Sequence, residues 1–192
     1  GVAGLMGNMA AESGFNPRNM ENRYERNGLN DNTYTQGVDN GTYTNFVHDS
    51  VGYGLVQWTY SGYKRDLLVY AKSQNSSIGD IYMQNQFLYK QFHTKNLLGV
   101  LDTLTKAKTV RAASDCVLLR FERPADQSTA VQERRAGYAN RYYNELSYRC
   151  EMMDDISAAV DKMIHDGLEL YKAKLVCCRF KFKVIQLLNL TE

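Results

Sequence analysis

Apolar residues recur at helical spacing over the first twelve residues of the chain. The stripe comprises Val2, Leu5, Met6 and Met9, at i, i+3, i+4 and i+7, which predicts a helix with one apolar face. We expect the helix to end at Ser13 and Gly14, because glycine suits a left-handed C-cap and Pro17 disfavours a helical residue before it.

The rest of the first 150 residues divides into a polar stretch and a helical stretch. Residues 18–50 are rich in Asn, Gly, Thr, Tyr and Asp, and 41–47 could form a strand, so we expect a small irregular β-hairpin or loop lobe. Helix-period apolar faces follow at 61–74, 79–93, 97–106 and 110–122. After Pro124, Asp126 or Ser128 can cap a helix that runs to about residue 147. The pattern predicts an α+β domain that is predominantly helical.

The last 43 residues differ in charge pattern from what precedes them. Acidic residues dominate 151–170, basic residues dominate 171–183, and apolar positions from Met153 to Met163 have helical spacing, followed by strand-like alternation at 180–184. We therefore divide the chain into a domain at 1–149 and a C-terminal extension at 150–192. The extension could be a partner-binding arm or part of a following domain, and the sequence leaves both open.

Composition narrows the classes of function. Of the 192 residues, 44% are hydrophobic and 23% charged, typical of a globular protein, and the net charge of +2 gives no support for nucleic-acid binding. No apolar run reaches the length of a membrane span, and the four cysteines and three histidines have no zinc-site spacing. We expect no metal and no cofactor. The 14 tyrosines suit either a carbohydrate surface or a core with polar edges.

Glu12 stands out as a candidate for chemistry. It lies seven positions after Leu5, about 20° from it around the helix, and therefore along the apolar face. Burial and the position at the helix C-terminus both disfavour the charged form of this carboxyl group. We expect both to raise its pKa, and a general acid that works near neutral pH requires a raised pKa. A buried glutamate paired with an arginine would give the same pattern.

A second informative stretch runs from residue 49 to residue 59. Asp49 supplies a carboxylate in a polar loop, and a pair of carboxyl groups in unlike environments is the arrangement used in glycoside hydrolysis. The same stretch offers close backbone approach, stacking faces and an amide, from Gly52, Tyr53, Gly54, Gln57 and Trp58.

Three separated motifs, in order, resemble one enzyme superfamily. Residues 12–17 resemble the E-S-x-F-N-P motif of goose-type lysozymes and lytic transglycosylases, and 54–57 resemble their G-L-M-Q element. Residues 138–140 resemble a later A-Y-N-like element in altered order. The phage tail lysozyme branch is the most similar, since its G-N-x-x-x-E-S-G-x-N-P, G-Y-G-L-x-Q-W-T and F-E-R-P-A-D stretches all occur here. The resemblance covers about residues 1–147, and members of this branch usually have a further helix before the equivalent of Gly1.

The resemblance implies a lysozyme-like fold and a peptidoglycan hydrolase that cuts the β-1,4 bond between N-acetylmuramic acid and N-acetylglucosamine. Glu12 would be the general acid, and Asp49 matches, within one residue, an acidic residue that helps to place a water molecule. Thr59 is a further candidate for holding that water. The substrate groove would be lined by Tyr53, Gly54, Gln57, Trp58 and Tyr138.

The resemblance also implies where the protein acts, and it leaves two other functions open. The protein would act on bacterial peptidoglycan from a virion tail or after secretion, with other tail proteins as candidate partners, and without nucleic acid or a membrane span. A lytic transglycosylase with 1,6-anhydro products and a non-catalytic glycan-binding module remain open.

The charged residues near the end of the domain have a structural interpretation. Glu122, beside Arg123, is expected to form an ion pair that fixes a helix corner rather than to act in catalysis. Four arginines are expected on a solvated helix face, although they could attract anionic wall polymers: Arg134, Arg135, Arg141 and Arg149.

Overall fold

A computed structural model describes residues 1–25 and 28–165 and is predominantly helical. The chain divides into two units, Gly1–Tyr143 and Asn144–Glu192. Seven α-helices lie in the described residues: α1 Val2–Ser13, α2 Asp31–Asp39, α3 Ser61–Ser73, α4 Ile81–Phe92, α5 Leu98–Lys106, α6 Val110–Cys116 and α7 Thr129–His165. Two shorter turns accompany them, a 3₁₀ turn at Asn22–Tyr24 and a π-helical turn at Val117–Glu122.

Helix α1 ends where the sequence predicts. Gly14 adopts the left-handed conformation with φ of 59° and donates its N–H to the Ala10 carbonyl at 3.2 Å. A residue with a side chain is strained in that conformation, whereas glycine is not. The helices predicted from the apolar periodicity of 61–74, 79–93, 97–106 and 110–122 are also present, which confirms the helical part of the fold.

Two glycines bring the backbone of α1 against its neighbours. A Cβ on Gly4 would lie 2.6 Å from the Cβ of Ala113 in α6. A Cβ on Gly7 would lie 2.6 Å from the Cβ of Ala139 and the carbonyl oxygen of Arg135, both in α7. Real side chains never come this close, so α1 packs against α6 and α7 with backbone rather than side chains at these points. This contact fixes Glu12 relative to Arg135.

The predicted β-hairpin lobe is not seen. Within the described residues, this region contains isolated bridges, such as those of Tyr53 with Met20 and Trp58, and no strand. Residues that we took for a loop instead form α2, whose N-terminus has a capping box. Asn30 Oδ1 accepts from the Thr33 N–H at 3.1 Å, and Thr33 Oγ1 accepts from the Asn30 N–H at 2.9 Å. The expected strand at 41–47 has no strand structure because it forms turns.

The core beneath this region is aromatic. The ring centroid of Tyr34 lies 5.4 Å from that of Tyr53 and 6.0 Å from that of Phe46, and all three side chains are buried. Trp58 packs edge-on against Phe87 of α4 at 5.5 Å. Ring packing of this kind supplies large buried apolar area, so this part of the chain is ordered without a sheet.

The segment after α6 changes its helical period. The Arg123 N–H bonds to the Leu118 carbonyl at 2.8 Å, five residues back, as in a π-helix, and Arg123 itself is left-handed with φ of 50°. This wider turn, followed by Pro124, ends the helix and carries Glu122 at its end.

Helix α7 begins at Thr129, where Ser128 Oγ accepts from the Val131 N–H at 3.4 Å. It continues to His165, beyond the end near 147 that we expected. The strand-like residues 180–184 lie outside the described residues. The division between a domain at 1–149 and an extension at 150–192 stays a prediction.

Candidate active site

A cleft of about 770 Å³ opens in the first unit at the end of α1. Four pieces of chain supply its walls: the end of α1, residues 19–23, residues 52–59, and the end of the π-helical turn with the residues after it. Its lining comprises Glu12, Ser13, Asn19, Glu21, Asn22, Arg23, Gly52, Val56, Gln57, Thr59, Glu122, Arg123, Pro124 and Ala125.

Glu12 lies in this cleft, in the last turn of α1. Its side chain is 18% exposed, so the carboxyl group reaches the cleft while most of the side chain is covered. Arg135 of α7 donates from Nη2 to Glu12 Oε1. The partial burial predicted from the apolar stripe is thus present, together with the arginine partner that we weighed as the structural alternative.

Arg135 lies at the centre of a buried cluster of charged and polar side chains. Its side chain is 6% exposed, and Nη1 donates to Glu122 Oε2 and, at 3.1 Å, to Asn8 Oδ1. Asn8 is itself held by the Gly4 carbonyl at 2.9 Å. The expectation that Arg135 lies on a solvated helix face is wrong, because α7 turns this side chain into the space that the small residues of α1 leave open.

Glu122 forms the ion pair that we expected, but its partner is Arg135 rather than its neighbour Arg123. Its side chain is 3% exposed. The pKa of Glu122 is raised to about 8, chiefly by burial and then by the charge of the adjacent Glu12 carboxyl group and a hydrogen bond with it, while Arg135 opposes these effects. A hydrogen bond between two carboxyl groups requires a proton on one of them. The buried Glu122 Oε1 accepts from no donor among the described residues and can itself carry that proton.

A second carboxylate, Glu21, lines the same cleft. Its Oε2 accepts the Gly52 N–H at 3.2 Å, and its Oε1 pairs with Arg23 Nε at 2.6 Å. The carbonyl of Gly52 in turn accepts the N–H of Glu21 at 2.9 Å. These bonds fix a carboxylate at the rim of the cleft with its side chain 30% exposed.

Gln57 and Thr59 belong to the cleft as predicted. Gln57 has φ of 51°, and its Nε2 donates to Asn19 Oδ1 at 2.8 Å and to the carbonyl of Gly54 at 3.1 Å. The Thr59 hydroxyl donates to the Gln57 carbonyl at 2.9 Å. The amide of Gln57 therefore ties two loops together, which leaves its Oε1 facing Gly52 as an acceptor.

Asp49 does not line the cleft. Its side chain is 4% exposed and accepts from Lys64 Nζ at 2.5 Å, from the Tyr34 hydroxyl at 2.6 Å and from the Tyr43 hydroxyl at 3.0 Å. Burial lowers the pKa of Lys64, and Asp49 partly offsets this. Burial and the Asp49 carboxylate raise the pKa of Tyr43 to about 12. The residue predicted as catalytic base is thus the centre of a buried network.

The rings of Tyr53 and Trp58 are in the core rather than in the cleft. The Tyr53 hydroxyl shares a 2.7 Å hydrogen bond with the Thr35 hydroxyl, and Trp58 Nε1 donates to Gln91 Oε1 at 2.9 Å. Their burial corrects the expectation of exposed stacking faces, because the apolar faces of both rings are used in packing.

Gly54 and Tyr138 are likewise away from the cleft lining. Gly54 has φ of 77°, and a Cβ there would lie 2.7 Å from Gln84 Oε1, so the backbone approaches a protein side chain rather than a ligand. Tyr138 is half-buried on α7, with the Arg141 guanidinium 5.4 Å from its ring centroid.

The sequence also matches a known protein family. The family model described as phage tail lysozyme matches residues 1–146. The chain belongs to the phage tail lysozyme family. A comparison with curated proteins found no significant match. Family membership indicates a lysozyme-like enzyme that breaks down peptidoglycan at the bacterial cell wall.

The described part of the chain can be compared with the requirements of a metal site and of a membrane span. Across 1–25 and 28–165, no three His, Cys, Asp or Glu residues are grouped so as to hold a metal ion. None of the helices described combines the length and the hydropathy that crossing a bilayer requires.

Sequence reasoning missed the place of Arg135 behind the cleft and that of Glu21 in its lining. Arg135 gave a weak signal, since it lies one helical turn after Val131 on the buried face of α7. Glu21 gave none, because it stands among polar residues of an irregular segment where side-chain direction has no period.

Proposed function

We propose that this phage tail lysozyme is a muramidase, a glycoside hydrolase that cuts the β-1,4 bond between N-acetylmuramic acid and N-acetylglucosamine. The observation that carries the proposal is the Glu12 carboxyl group, partly exposed in the cleft and backed by Arg135 and Glu122. A carboxyl group in that position can donate a proton to a glycan bound in the cleft. A setting in a phage tail, and contacts with other tail proteins, are part of the proposal.

In this mechanism Glu12 protonates the glycosidic oxygen as the bond from that oxygen to the anomeric carbon breaks. A water molecule then bonds to the anomeric carbon, and a carboxylate takes the proton that the water loses. Asp49 was the sequence candidate for this role, but its carboxylate is engaged with Lys64 and two tyrosines. We propose Glu21 for it, because Glu21 lines the cleft and its carboxylate is fixed by the Gly52 N–H.

One wall of the cleft suits the polar groups of a glycan. Asn19, Gln57 and Thr59 supply amide and hydroxyl groups. N-Acetyl and hydroxyl groups of peptidoglycan sugars can pair with these groups, so we propose this wall as the sugar-binding face.

A lytic transglycosylase is the second candidate. It needs one carboxyl group for both proton transfers, and the ion pair of Glu21 with Arg23 at 2.6 Å favours it because a carboxylate held by an arginine is less accessible to a water molecule. Its products would carry 1,6-anhydro ends rather than reducing ends. A non-catalytic glycan-binding module is the third candidate.

Digestion of purified peptidoglycan distinguishes the three. We expect the full chain to release muropeptides with reducing muramic-acid ends, identified by mass spectrometry, and Glu12→Gln to release none while it still binds wall fragments. Glu133→Gln is a matched control, because Glu133 is exposed on α7 and does not line the cleft. Anhydro ends would assign a transglycosylase, and binding without release by the unmodified chain would assign a binding module.

The variant Glu21→Gln tests the second carboxylate. An amide keeps the shape of the side chain but cannot accept a proton from water. We expect hydrolysis to fall by about 100-fold or more, as for loss of a general base. Unchanged hydrolysis in Glu21→Gln would remove Glu21 from the mechanism and leave Glu12 to act alone.

A further inference from the structure

The buried charge cluster at the back of the cleft is unbalanced. Two carboxyl groups, those of Glu12 and Glu122, meet a single guanidinium, that of Arg135. If both were ionised, one negative charge would remain without a partner where the Glu122 side chain is 3% exposed. A buried, unpaired charge is strongly unfavourable, and one added proton removes it.

The geometry also provides the place for that proton. Glu122 Oε2 accepts from Arg135, whereas Glu122 Oε1 is buried without a protein partner among the residues described. The charged groups that face Glu122 are Glu12 from α1 and Arg135 from α7. Of the two carboxyl groups, that of Glu12 is the more exposed to the cleft, at 18% against 3%, so a proton of the pair reaches the cleft through Glu12.

This arrangement resolves a difficulty in the proposed function. An arginine beside a carboxyl group favours its charged form, so the ion pair with Arg135 by itself works against Glu12 as a proton donor. We propose that Glu122 is a positioning residue that keeps one proton on the Glu12–Glu122 pair, so that Glu12 can act as the acid although Arg135 binds it.

The proposal rests on the muramidase function and adds to it a proton path within the protein. During cleavage the pair gives its proton through Glu12 to the leaving oxygen, and both carboxylates then face Arg135. A proton released from the attacking water, or from solvent, restores the pair. The raised pKa of Glu122 agrees with a proton held at neutral pH.

The test is the dependence of peptidoglycan cleavage on pH in the full chain and in Glu122→Gln, with Glu133→Gln as the control. Glutamine keeps the size of the side chain but removes the shared proton, leaving Glu12 with Arg135 alone. We expect the alkaline limb of the activity profile to move to lower pH by about one unit or more, a loss of about tenfold or more near pH 8 with little change near pH 5. A merely structural residue would lower activity equally at every pH, and that result would overturn the proposal.

A second measurement uses the unmodified chain and so does not depend on whether a variant folds. In the full chain with ¹³C-labelled glutamate carboxyls, followed by NMR, we expect one carboxyl signal to titrate well above the ordinary range of glutamate. If every glutamate titrates near its ordinary value of about 4.3, the proposal is wrong even if the enzyme is active. A chain that cleaves no peptidoglycan at any pH would instead refute the muramidase function, and with it the role of the pair.

Discussion

Replacing Asp49 by asparagine separates its structural role from the catalytic role suggested by its place in the sequence. The substitution preserves the shape of the side chain and its capacity to accept from Tyr34 and Tyr43, but removes the charge opposite Lys64 Nζ, 2.5 Å away. The Lys64 side chain is fully buried, so its ammonium group would keep only neutral acceptors, among them the Val51 carbonyl at 2.7 Å.

The expected cost follows from the burial of this pair. Removing one partner of a buried ion pair lowers the free energy of unfolding by about 3–5 kcal/mol. The loss of stability cannot much exceed this range, because Lys64 can lose its proton instead of remaining charged and unpaired. Neutralising a lysine with an ordinary pKa of 10.5 at pH 7 costs about 4.8 kcal/mol. For a unit of this size the melting temperature should fall by about 6–20 °C.

The assay combines thermal unfolding, followed by circular dichroism, with release of reducing ends from peptidoglycan well below both melting temperatures. We expect Asp49→Asn to melt earlier and to keep its activity per folded molecule within about threefold. The double variant Asp49→Asn with Lys64→Met is the control, and its loss of stability should be smaller than the sum of the single losses, because neither charge is left unpaired.

The opposite pattern would refute the reasoning. If Asp49→Asn kept the melting temperature of the unmodified chain while activity fell by about 100-fold or more, Asp49 would be a catalytic group and the buried network would be of little energetic importance.

Three further predictions concern other parts of the domain. Because the pKa of Glu122 is raised above its unfolded value, the folded state binds more protons than the unfolded state between about pH 4.5 and pH 8. The free energy of unfolding should therefore fall as pH rises through that window. Urea titrations should find a smaller fall in Glu122→Gln. Gly7→Ala should lower the free energy of unfolding by about 1–3 kcal/mol, since its Cβ would meet Ala139 at 2.6 Å, and an unchanged urea midpoint would contradict this close contact. Asn30→Ala, which removes the side-chain acceptor of the α2 capping box, should cost about 0.5–2 kcal/mol by the same measurement, with Asn85→Ala on the exposed face of α4 as its control.

The helical part of the fold could be predicted because its determinants are local. The apolar stripe of α1 and the glycine that ends it lie within fourteen residues, and period alone identifies α3 to α6. Helix α2 was missed although its signal is also local: Asn30 and Thr33 form a capping box, but the tyrosine and glycine around it are typical of loops. The strand expected at 41–47 failed for the converse reason, since alternation without a partner strand makes no sheet.

The candidate site could be predicted only in part, because most of it depends on long-range contacts. Glu12 and Gln57 were found through local motifs, and both line the cleft. Asp49 had the right chemistry and spacing, yet Lys64 lies fifteen residues away and its approach has no sequence signal. The sequence analysis assigned Arg135 to a solvated face because arginine side chains are usually solvated. Its burial depends on the packing of α7 against α1, which the sequence does not indicate.

The pairing of Glu12 with Arg135 spans 123 residues of chain and has a consequence for the order of events during synthesis. A ribosome that adds about 5–20 residues per second needs about 6–25 s to reach Arg135 after it has made Glu12. Until then the nascent chain has a glutamate without the guanidinium that orients it. Any wall-cutting activity of this domain should therefore arise only after Arg135 has been synthesised, and fragments that end before Arg135 should be inactive.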